Sequence, residues 1–253
     1  MAVSFSSEGA IGELVLDKPP ANSYDIEFMR ELTAAIGAAD GDAARVVVVR
    51  SASEKFFSAG ADIKRFLSND VDANLEMIRV AHEALASIAQ SSKLFVAYVA
   101  GHALGGGLEI ALACDLRYAA QGGYRLGTPE VTLGILPGNG GTQRLPRLIG
   151  TGPALELLLT GRQIMPDEAQ RLGLVSRLFD SYNEFRGHID GLAALPPLAL
   201  SEIKRAVYEG MDRPLEGGLE LERELIGKLF RSQDATEGLN AFVQKRAPEF
   251  VGA

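Results

Sequence analysis

Short apolar runs alternate with amphipathic segments along residues 1–150 of the chain. Residues 46–49 and 94–100 are continuous apolar runs, which are typical of strands that are covered on both faces. Residues 26–39 and 71–89 instead carry apolar side chains at helical spacing. This alternation favours βαβ-type crossovers and a largely parallel sheet, and therefore an α/β fold.

The remainder of the chain departs from that alternation. Residues 3–17 indicate a two-stranded hairpin at the N-terminus, and beyond residue 151 only residues 174–179 have the character of a strand. A Pro-Pro break at residues 196–197 precedes three helical segments, at residues 198–208, 215–230 and 235–244. We therefore predict an α/β core over residues 1–195 and a helical region over residues 196–253.

A run of three glycines, residues 105–107, joins the apolar run at residues 94–100 to a segment with the apolar density of a buried helix. Glycine lets a ligand lie directly against the backbone, and unpaired N–H groups at a helix start attract an anion or a developing oxyanion. Glu109 falls in the first turn among apolar residues, where a carboxyl group has a perturbed pKa and can work as an acid or base. The alternative is a tight turn followed by an acid that compensates the helix dipole.

A second glycine-rich loop, residues 137–141, follows Thr128, Pro129 and Glu130. Thr128 is placed to cap a short helix that begins at Pro129, and Glu130 comes next. The loop does not continue as Gly-Lys-Ser/Thr, and the dinucleotide-binding spacing fails at Gln143, so neither kind of phosphate loop is indicated. The simpler alternative is that Glu130 is a first-turn acid and that the loop only caps the next helix.

Residues 53–66 predict a loop that brings bare backbone close to a ligand, with a helix starting at Asp62. In the simpler alternative, Gly60 serves only the turn and Asp62 only caps the helix. His82 falls on the apolar stripe predicted for residues 71–89, together with Leu75, and a structural role is favoured for it over a catalytic one.

Composition limits the possible functions. The chain has 253 residues, of which 47% are hydrophobic and 23% charged, as in ordinary soluble proteins. Its net charge of −8 argues against non-specific binding to nucleic acid. The single cysteine, Cys114, excludes an internal disulfide, and with three scattered histidines it makes no metal-ligand cluster. No apolar run approaches the about 18 residues of a membrane span, and no leader pattern is present, so we expect a cytoplasmic protein.

Several spaced motifs resemble one known family. They are FFSAGADIK at residues 56–64, ALGGGLE at 103–109, GTPEVTLGILPGNGGTQRLPRLIG at 127–150, LTGRQIMPDEAQRLGLVSRLF from residue 159, and AFVQKRAPEF near the C-terminus. In this order they resemble the crotonase superfamily, most closely the enoyl-CoA hydratases. The resemblance implies a spiral of ββα turns with a C-terminal helical region that builds homotrimers, often paired into hexamers. It also implies an acyl-CoA thioester substrate, with no cofactor beyond the coenzyme A of that substrate, in fatty acid metabolism such as β-oxidation.

The resemblance also assigns the site residues. It places the oxyanion hole at the backbone N–H groups of Ala61 and Gly106, the two family carboxylates at Glu109 and Glu130, and a water-holding backbone group at Gly138. Further residues are implied to bind the acyl-CoA, either by lining its site or as cations near its nucleotide: Lys18, Lys55, Ala61, Asp62, Ile63, Lys64, Gly106 and Lys245.

The implied reaction is syn addition of water across the C2–C3 double bond of a trans-2-enoyl-CoA. A Δ3,Δ2-enoyl-CoA isomerase, which needs only the carboxylate at Glu130, is the nearest alternative, and lyases or hydratases of specialised acyl-CoAs stay open. An RNA-binding relative is disfavoured by the net charge, and an inactive scaffold would not need both carboxylates. Residues 19–28 and Asn139 depart from the common family pattern, and acyl chain length is expected to depend on pocket depth around residues 66–78.

Overall fold

The computed structural model describes residues 1–67 and 70–253. Nine strands in these residues form two sheets. The strands are β1 Val3–Glu8, β2 Ile11–Leu16, β3 Val46–Ser51, β4 Phe56–Ser58, β5 Leu94–Val99, β6 His102–Leu104, β7 Leu116–Ala120, β8 Leu126–Gly127 and β9 Arg177–Phe179. Ser68 and Asn69, in the segment predicted to set pocket depth, lie outside the described residues.

The helices pack around these sheets and dominate the second half of the chain. They are α1 Ile26–Asp40, α2 Ile63–Phe66, α3 Val71–Gln90, α4 Gly106–Ala113, α5 Gly141–Ile149, α6 Thr151–Thr160, α7 Pro166–Leu172, α8 Tyr182–Ala193, α9 Pro197–Met211, α10 Leu215–Leu229 and α11 Gln233–Gln244. A short 3₁₀ helix, Pro129–Leu133, precedes α5. No helix among the described residues is long and apolar enough to cross a membrane.

The larger sheet has six strands in the order β1-β2-β3-β5-β7-β9. Strands β1 and β2 form the predicted antiparallel hairpin, and every later pair in this sheet is parallel. The smaller sheet, β4-β6-β8, is parallel throughout. The prediction of a largely parallel sheet is confirmed.

The two sheets are linked by a repeated strand–strand–helix unit. In each of the pairs β3–β4, β5–β6 and β7–β8 the first strand joins the larger sheet, the second joins the smaller one, and a helix follows. This repetition is the spiral of ββα turns that the resemblance implied, so the predicted α/β fold class is confirmed. As a result, α4 begins directly after the carboxyl end of β6, the central strand of the smaller sheet.

The apolar run in β3 is buried on both faces, as its composition predicts. Val47 and Val49 join a core cluster with Phe28, whereas Val46 and Val48 join a second cluster on the opposite face of the sheet. All four valines are fully buried. Helix α1 begins as predicted, because the side chain of its N-cap, Asp25, accepts a hydrogen bond from the third helical N–H.

Some local predictions were wrong. Strands β4 and β6 are three residues each. The residues of β4 were expected to form a loop, and β6 was not predicted, because so short a run gains its strand geometry from a partner far away in sequence. The stripe predicted on α3 is only partly buried, since Leu75 and His82 are exposed. The buried residues of α3 are Met77, Val80, Ala81, Ala84, Leu85 and Ile88.

The C-terminal helices are joined to the core by a buried lysine. Lys204 of α9 donates hydrogen bonds to the carbonyls of Ile88 and Lys93, at 2.8 and 2.9 Å, and pairs with Asp115 at 3.0 Å. The predicted boundary falls at Pro196, the N-cap of α9. The division into a core over 1–195 and a separate helical region over 196–253 stays a prediction.

Candidate active site

The site is built around the first turn of α4. All eight residues of this helix are buried, and its two glycines are packed so closely that a side chain has no room at either. A Cβ on Gly107 would lie 2.7 Å from the carbonyl carbon of Ser58. A Cβ on Gly60 would lie 2.8 Å from the carbonyl oxygen of Leu104 and 3.1 Å from the nitrogen of Gly106. The glycine run therefore permits the end of β4 to lie directly against the start of α4.

Replacing Gly107 by alanine is expected to lower the free energy of unfolding by about 1–3 kcal/mol, because the added methyl group must displace the backbone at Ser58. Urea unfolding followed by circular dichroism measures this change. Gly152 gives the matched control: it lies in the first turn of α6 with nothing within 4 Å of an added Cβ. Gly152→Ala is expected to keep or raise stability by a few tenths of a kcal/mol. Equal effects of the two substitutions would contradict this packing.

Two backbone N–H groups at this junction have no acceptor in the described part of the chain. Gly106 is the first residue of α4, so no carbonyl of its own helix can accept from its N–H. Tyr24 forms a parallel bridge with Ala61 through its own N–H and C=O, which bond to Gly60 and Asp62 at 3.0 and 2.9 Å. In such a bridge the N–H of Ala61 faces away from Tyr24. The two predicted oxyanion-hole donors are thus both unpaired and on adjoining segments.

Glu109 lies one turn into α4 with only 1% of its surface exposed. Its Oε1 accepts hydrogen bonds from the backbone N–H groups of Asn139 and Gly141, each at 2.7 Å. Burial raises the pKa of this carboxyl above its ordinary value, whereas these two N–H groups, Arg144 and His82 oppose the rise. The glycine-rich loop thereby fixes one oxygen of Glu109 from a point 30 residues further along the chain.

Glu130 reaches the same helix start from the 3₁₀ helix. A Cβ added to Gly105 would lie 2.6 Å from Oε1 of Glu130, so this carboxyl packs against the residue that precedes α4. Its Oε2 is buried without a hydrogen-bond partner. Burial raises the pKa of Glu130 to about 7, its own backbone N–H opposes the rise, and the negative charge of Glu109 adds to it. The structure therefore brings the two predicted carboxyls close enough for the charge of one to act on the other. Thr128 precedes the helix as predicted, but its hydroxyl does not cap it.

The loop from Gly138 to Gly141 is held from both sides. The Gly138 carbonyl lies 2.6 Å from Nε2 of His82, and the guanidinium of Arg144 donates to the Asn139 carbonyl at 2.8 Å. No acceptor for the Gly138 N–H is present among the residues that the structure describes. His82, expected on the core-facing stripe, is instead an exposed side chain that contacts this loop.

Comparison with known proteins identifies the family. The model of the enoyl-CoA hydratase/isomerase family matches residues 6–253. The chain belongs to this family. It is 41% identical to a probable enoyl-CoA hydratase of Rhizobium meliloti (strain 1021), covering 96% of this chain and 95% of that protein. A probable enoyl-CoA hydratase of Bacillus subtilis (strain 168) is 38% identical over 99% of both chains. The crystal structure of an enoyl-CoA hydratase from Geobacillus kaustophilus HTA426 superposes with a TM-score of 0.96 at 43% identity, covering 100% of this chain and 97% of that one.

The family membership confirms the resemblance but does not test the residues assigned to coenzyme A. Ala61, Asp62, Ile63 and Lys64 form a continuous stretch at the start of α2, where Asp62 caps the helix by accepting from the Lys64 N–H at 3.2 Å. Ile63 and Lys64 are exposed. These assignments stay predictions.

The three other lysines lie on different elements of the chain. Lys18 pairs with Asp25 at 2.8 Å, on a loop that runs beside residues 59–62. Lys55 is exposed at the start of β4, with its Nζ 5.5 Å from the ring centre of Phe56. Lys245 ends α11 and is also exposed, and no ion pair joins it to another of the described residues.

The sequence analysis missed one residue at the start of α4, Tyr24. It is buried, and a Cβ on Gly106 would overlap its hydroxyl oxygen. Burial and the charges of Glu109 and Glu130 raise the pKa of Tyr24 well above its usual range. The only available signal was that residues 19–28 depart from the common family pattern. Among the described residues, no group of three or more His, Cys, Asp or Glu side chains could hold a metal ion.

Proposed function

We propose that this chain is an enoyl-CoA hydratase that adds water syn across the C2–C3 double bond of a trans-2-enoyl-CoA to give a 3-hydroxyacyl-CoA. The observation that carries the proposal is the convergence of the buried Glu109 and the half-buried Glu130 on one helix start, beside two unpaired backbone donors. The names of the similar proteins are consistent with it. Degradation of fatty acids by β-oxidation is the proposed context.

The proposed oxyanion hole stabilises the negative charge that develops on the thioester oxygen during hydration. Attack of water at C3 pushes electrons onto the thioester oxygen, which becomes enolate-like. In the proposed complex this oxygen accepts hydrogen bonds from the N–H groups of Ala61 and Gly106. Such preorganised donors stabilise the oxygen as its charge grows, and loss of one typically costs about 3–4 kcal/mol. The α4 helix start adds partial positive charge at the same point.

The two carboxyls are proposed to carry out the proton transfers of the reaction. We assign activation of the water to Glu109 and protonation at C2 to Glu130. One oxygen of Glu109 is fixed by two N–H groups, which leaves its other oxygen to accept a proton from water. Glu130, with a pKa of about 7, is still protonated in a large fraction of molecules near neutral pH and can donate that proton. The Gly138 N–H is proposed to hold the reacting water against them.

Binding of the coenzyme A portion is proposed for the segment from Ala61 to Lys64, with the lysine cations near the nucleotide. Binding energy from this remote part of the substrate would position C2 and C3 between the carboxyls. The cations are Lys18, Lys55, Lys64 and Lys245. No cofactor is needed, because addition of water requires neither an oxidant nor a carrier group.

The C-terminal helices support a proposed assembly into homotrimers, which pair into hexamers. Large apolar side chains stay exposed on all three: Ile203, Val207, Met211, Leu215, Leu219, Ile226, Phe230, Leu239, Phe242 and Val243. Monomeric soluble proteins rarely expose large contiguous apolar patches, so these side chains are candidates for burial between subunits. Light scattering coupled to size-exclusion chromatography tests this assembly, and a monomer at micromolar concentration would contradict it.

Separate incubation with crotonyl-CoA and with trans-3-hexenoyl-CoA tests the proposed reaction. We expect crotonyl-CoA to yield 3-hydroxybutyryl-CoA rapidly, and the 3-enoyl substrate to rearrange slowly. Reaction in D₂O with analysis of the product stereochemistry checks that addition is syn. Rapid isomerisation of the 3-enoyl-CoA without hydration of crotonyl-CoA would instead identify an isomerase. Initial rates across a series of 2-enoyl-CoA lengths define the acyl preference.

The pH dependence of hydration follows from the two carboxyls. The proposed mechanism needs Glu109 ionised and Glu130 protonated, so the coupled pair must hold one proton. We expect a bell-shaped profile of kcat/KM, with an acid limb above the ordinary carboxyl value of 4.5 and an alkaline limb near pH 7. Initial rates of crotonyl-CoA hydration between pH 4.5 and 9 measure it. A profile without a decline between pH 6.5 and 9 would contradict the role of Glu130 as acid.

A further inference from the structure

Tyr24 lies at the start of α4, and the proposed mechanism gives its side chain no role. Only 1% of its surface is exposed, and its backbone bridges Ala61, the residue that supplies one proposed oxyanion donor. Its side chain reaches the other donor, since a Cβ on Gly106 would lie 2.6 Å from the ring carbon that bears the hydroxyl and would overlap the hydroxyl oxygen itself. Tyr24 is thus in contact with both halves of the proposed oxyanion hole.

The Tyr24 hydroxyl has a hydrogen-bond donor but no acceptor within the described residues. The side-chain amide of Asn139 donates to its oxygen, which leaves the hydroxyl proton available. Asn139 is itself held firmly, because its backbone N–H bonds to Glu109 and its carbonyl accepts from Arg144. It is 2% exposed, and its Oδ1 is buried without a partner. A buried O–H without an acceptor is costly in a folded protein, which points to an acceptor supplied by a ligand.

The protonation state of Tyr24 and the atoms around it indicate which ligand atom could be that acceptor. Burial and the two nearby carboxyls keep the Tyr24 hydroxyl protonated, so that it acts as a neutral donor. No hydrogen bond joins it to Glu109 or Glu130 in the described structure. The substrate atom that the proposed function brings to Gly106 is the thioester oxygen, which is an acceptor in the ground state and a stronger one as it becomes an enolate oxygen.

We propose that Tyr24 is a third hydrogen-bond donor to the thioester oxygen, beside Ala61 and Gly106, and that Asn139 positions its hydroxyl. The inference rests on the proposed function for the presence of a thioester at Gly106. In this arrangement the residues that depart from the common family pattern, Tyr24 and Asn139, together form one added element of the oxyanion hole.

The interaction strengthens as negative charge develops, so its loss lowers kcat more than it raises KM. Removal of one oxyanion-hole donor typically lowers kcat by about 10²- to 10³-fold. Because two backbone donors remain, we expect Tyr24→Phe to lower kcat for crotonyl-CoA hydration by about 10- to 100-fold, with KM changed less than about threefold.

The experiment compares Tyr24→Phe with Tyr124→Phe in the full-length protein. Tyr124 is a matched control, because it is a buried tyrosine whose hydroxyl bonds to the carbonyls of Val99 and Ala120. Steady-state kinetics give kcat and KM for each protein. The absorption of bound trans-cinnamoyl-CoA gives a second readout, since hydrogen bonds to its carbonyl polarise the conjugated system and move the band to longer wavelength. This spectral measurement does not require turnover.

The expected result is a lower kcat and a smaller spectral shift in Tyr24→Phe, with both quantities at the wild-type value in Tyr124→Phe. Asn139→Ala keeps the backbone N–H that bonds to Glu109, and it should give a spectral shift between those of the wild type and Tyr24→Phe. A wild-type spectral shift in Asn139→Ala would remove Asn139 from the proposal. Wild-type kcat and spectral shift in a folded Tyr24→Phe would overturn the role of Tyr24.

A measurement on the wild-type protein covers the case in which Tyr24→Phe does not fold. In a crystal structure with butyryl-CoA, we expect the Tyr24 hydroxyl oxygen at about 2.5–3.0 Å from the thioester oxygen. A separation beyond about 3.5 Å would overturn the proposal. If the wild type does not hydrate crotonyl-CoA, the proposed function fails, but the cinnamoyl-CoA spectrum and this distance still decide the role of Tyr24.

Discussion

Replacing Glu109 by glutamine is expected to lower kcat/KM for crotonyl-CoA hydration by about 10²- to 10⁴-fold, the usual contribution of a positioned acid or base. Glutamine has nearly the same shape, and its oxygen can still accept the N–H groups of Asn139 and Gly141 that Oε1 of Glu109 accepts. It cannot take a proton from water. The fold should therefore survive while the chemistry fails. Initial rates with the purified variant measure the loss, and circular dichroism checks the fold.

Glu13→Gln is the matched control for this substitution. Glu13 is a partly buried carboxylate that accepts hydrogen bonds from Arg50, Tyr182 and Arg186 on the far side of the larger sheet. Its loss should leave hydration unchanged. The Glu109 variant also discriminates the isomerase alternative, which needs only the carboxylate of Glu130. Near wild-type hydration in Glu109→Gln would refute the assigned role of Glu109.

Replacing Glu130 by glutamine is expected to have two effects with different pH dependence. Hydration should fall by about 10²- to 10⁴-fold at neutral pH, because a glutamine side chain has no acidic proton to deliver to C2. Stability should change in the opposite direction. In the folded protein the pKa of Glu130 is raised from 4.5 to about 7, so the folded state holds the proton more tightly than the unfolded state does. The wild type therefore loses stability as pH rises from 4.5 to about 7.

The Glu130→Gln protein has no charge at this position and does not share that loss. Its free energy of unfolding should equal that of the wild type near pH 4 and exceed it by about 1–2 kcal/mol at pH 8.5, allowing for screening of a half-buried group. Urea unfolding at the two pH values measures this difference. Glu168→Gln, which removes a partly buried partner of Arg162, is the activity control and should hydrate at the wild-type rate. Equal stability differences at both pH values would contradict the raised pKa.

Much of the geometry of the candidate site could be predicted from the sequence, because it depends on local patterns. A glycine run before an apolar segment predicted a helix start open to a ligand, and Glu109 in its first turn predicted a buried carboxyl. The structure confirms that a helix starts at this glycine run and that Glu109 is buried in its first turn. Glu130 was found through the motif around Thr128 and Pro129 and not through any property of its own, since a first-turn acid is common. The distance between the two carboxyls had no local signature.

Other features depend on contacts between segments far apart in the chain, and the local sequence pattern did not predict them. Strands β4 and β6 are too short for periodicity to indicate, and they exist because they pair with each other. His82 lies on the helical stripe predicted for it, but the stripe meets the core only at Leu85 and Ile88, and His82 contacts the glycine-rich loop. Tyr24 was missed because an isolated tyrosine in a loop has no pattern to mark it as buried.

Local sequence was enough to predict the alternation of strands and helices, the extent of α1, the buried valine strand and the glycines at the start of α4. These features follow from side-chain size, periodicity and backbone preference within a few residues. The folded chain was needed to show that Glu109, Glu130, Tyr24 and Asn139 surround one helix start, and that the charge of Glu109 raises the pKa of Glu130. Burial and electrostatic coupling depend on distances in space, and the packing of remote segments against one another sets those distances.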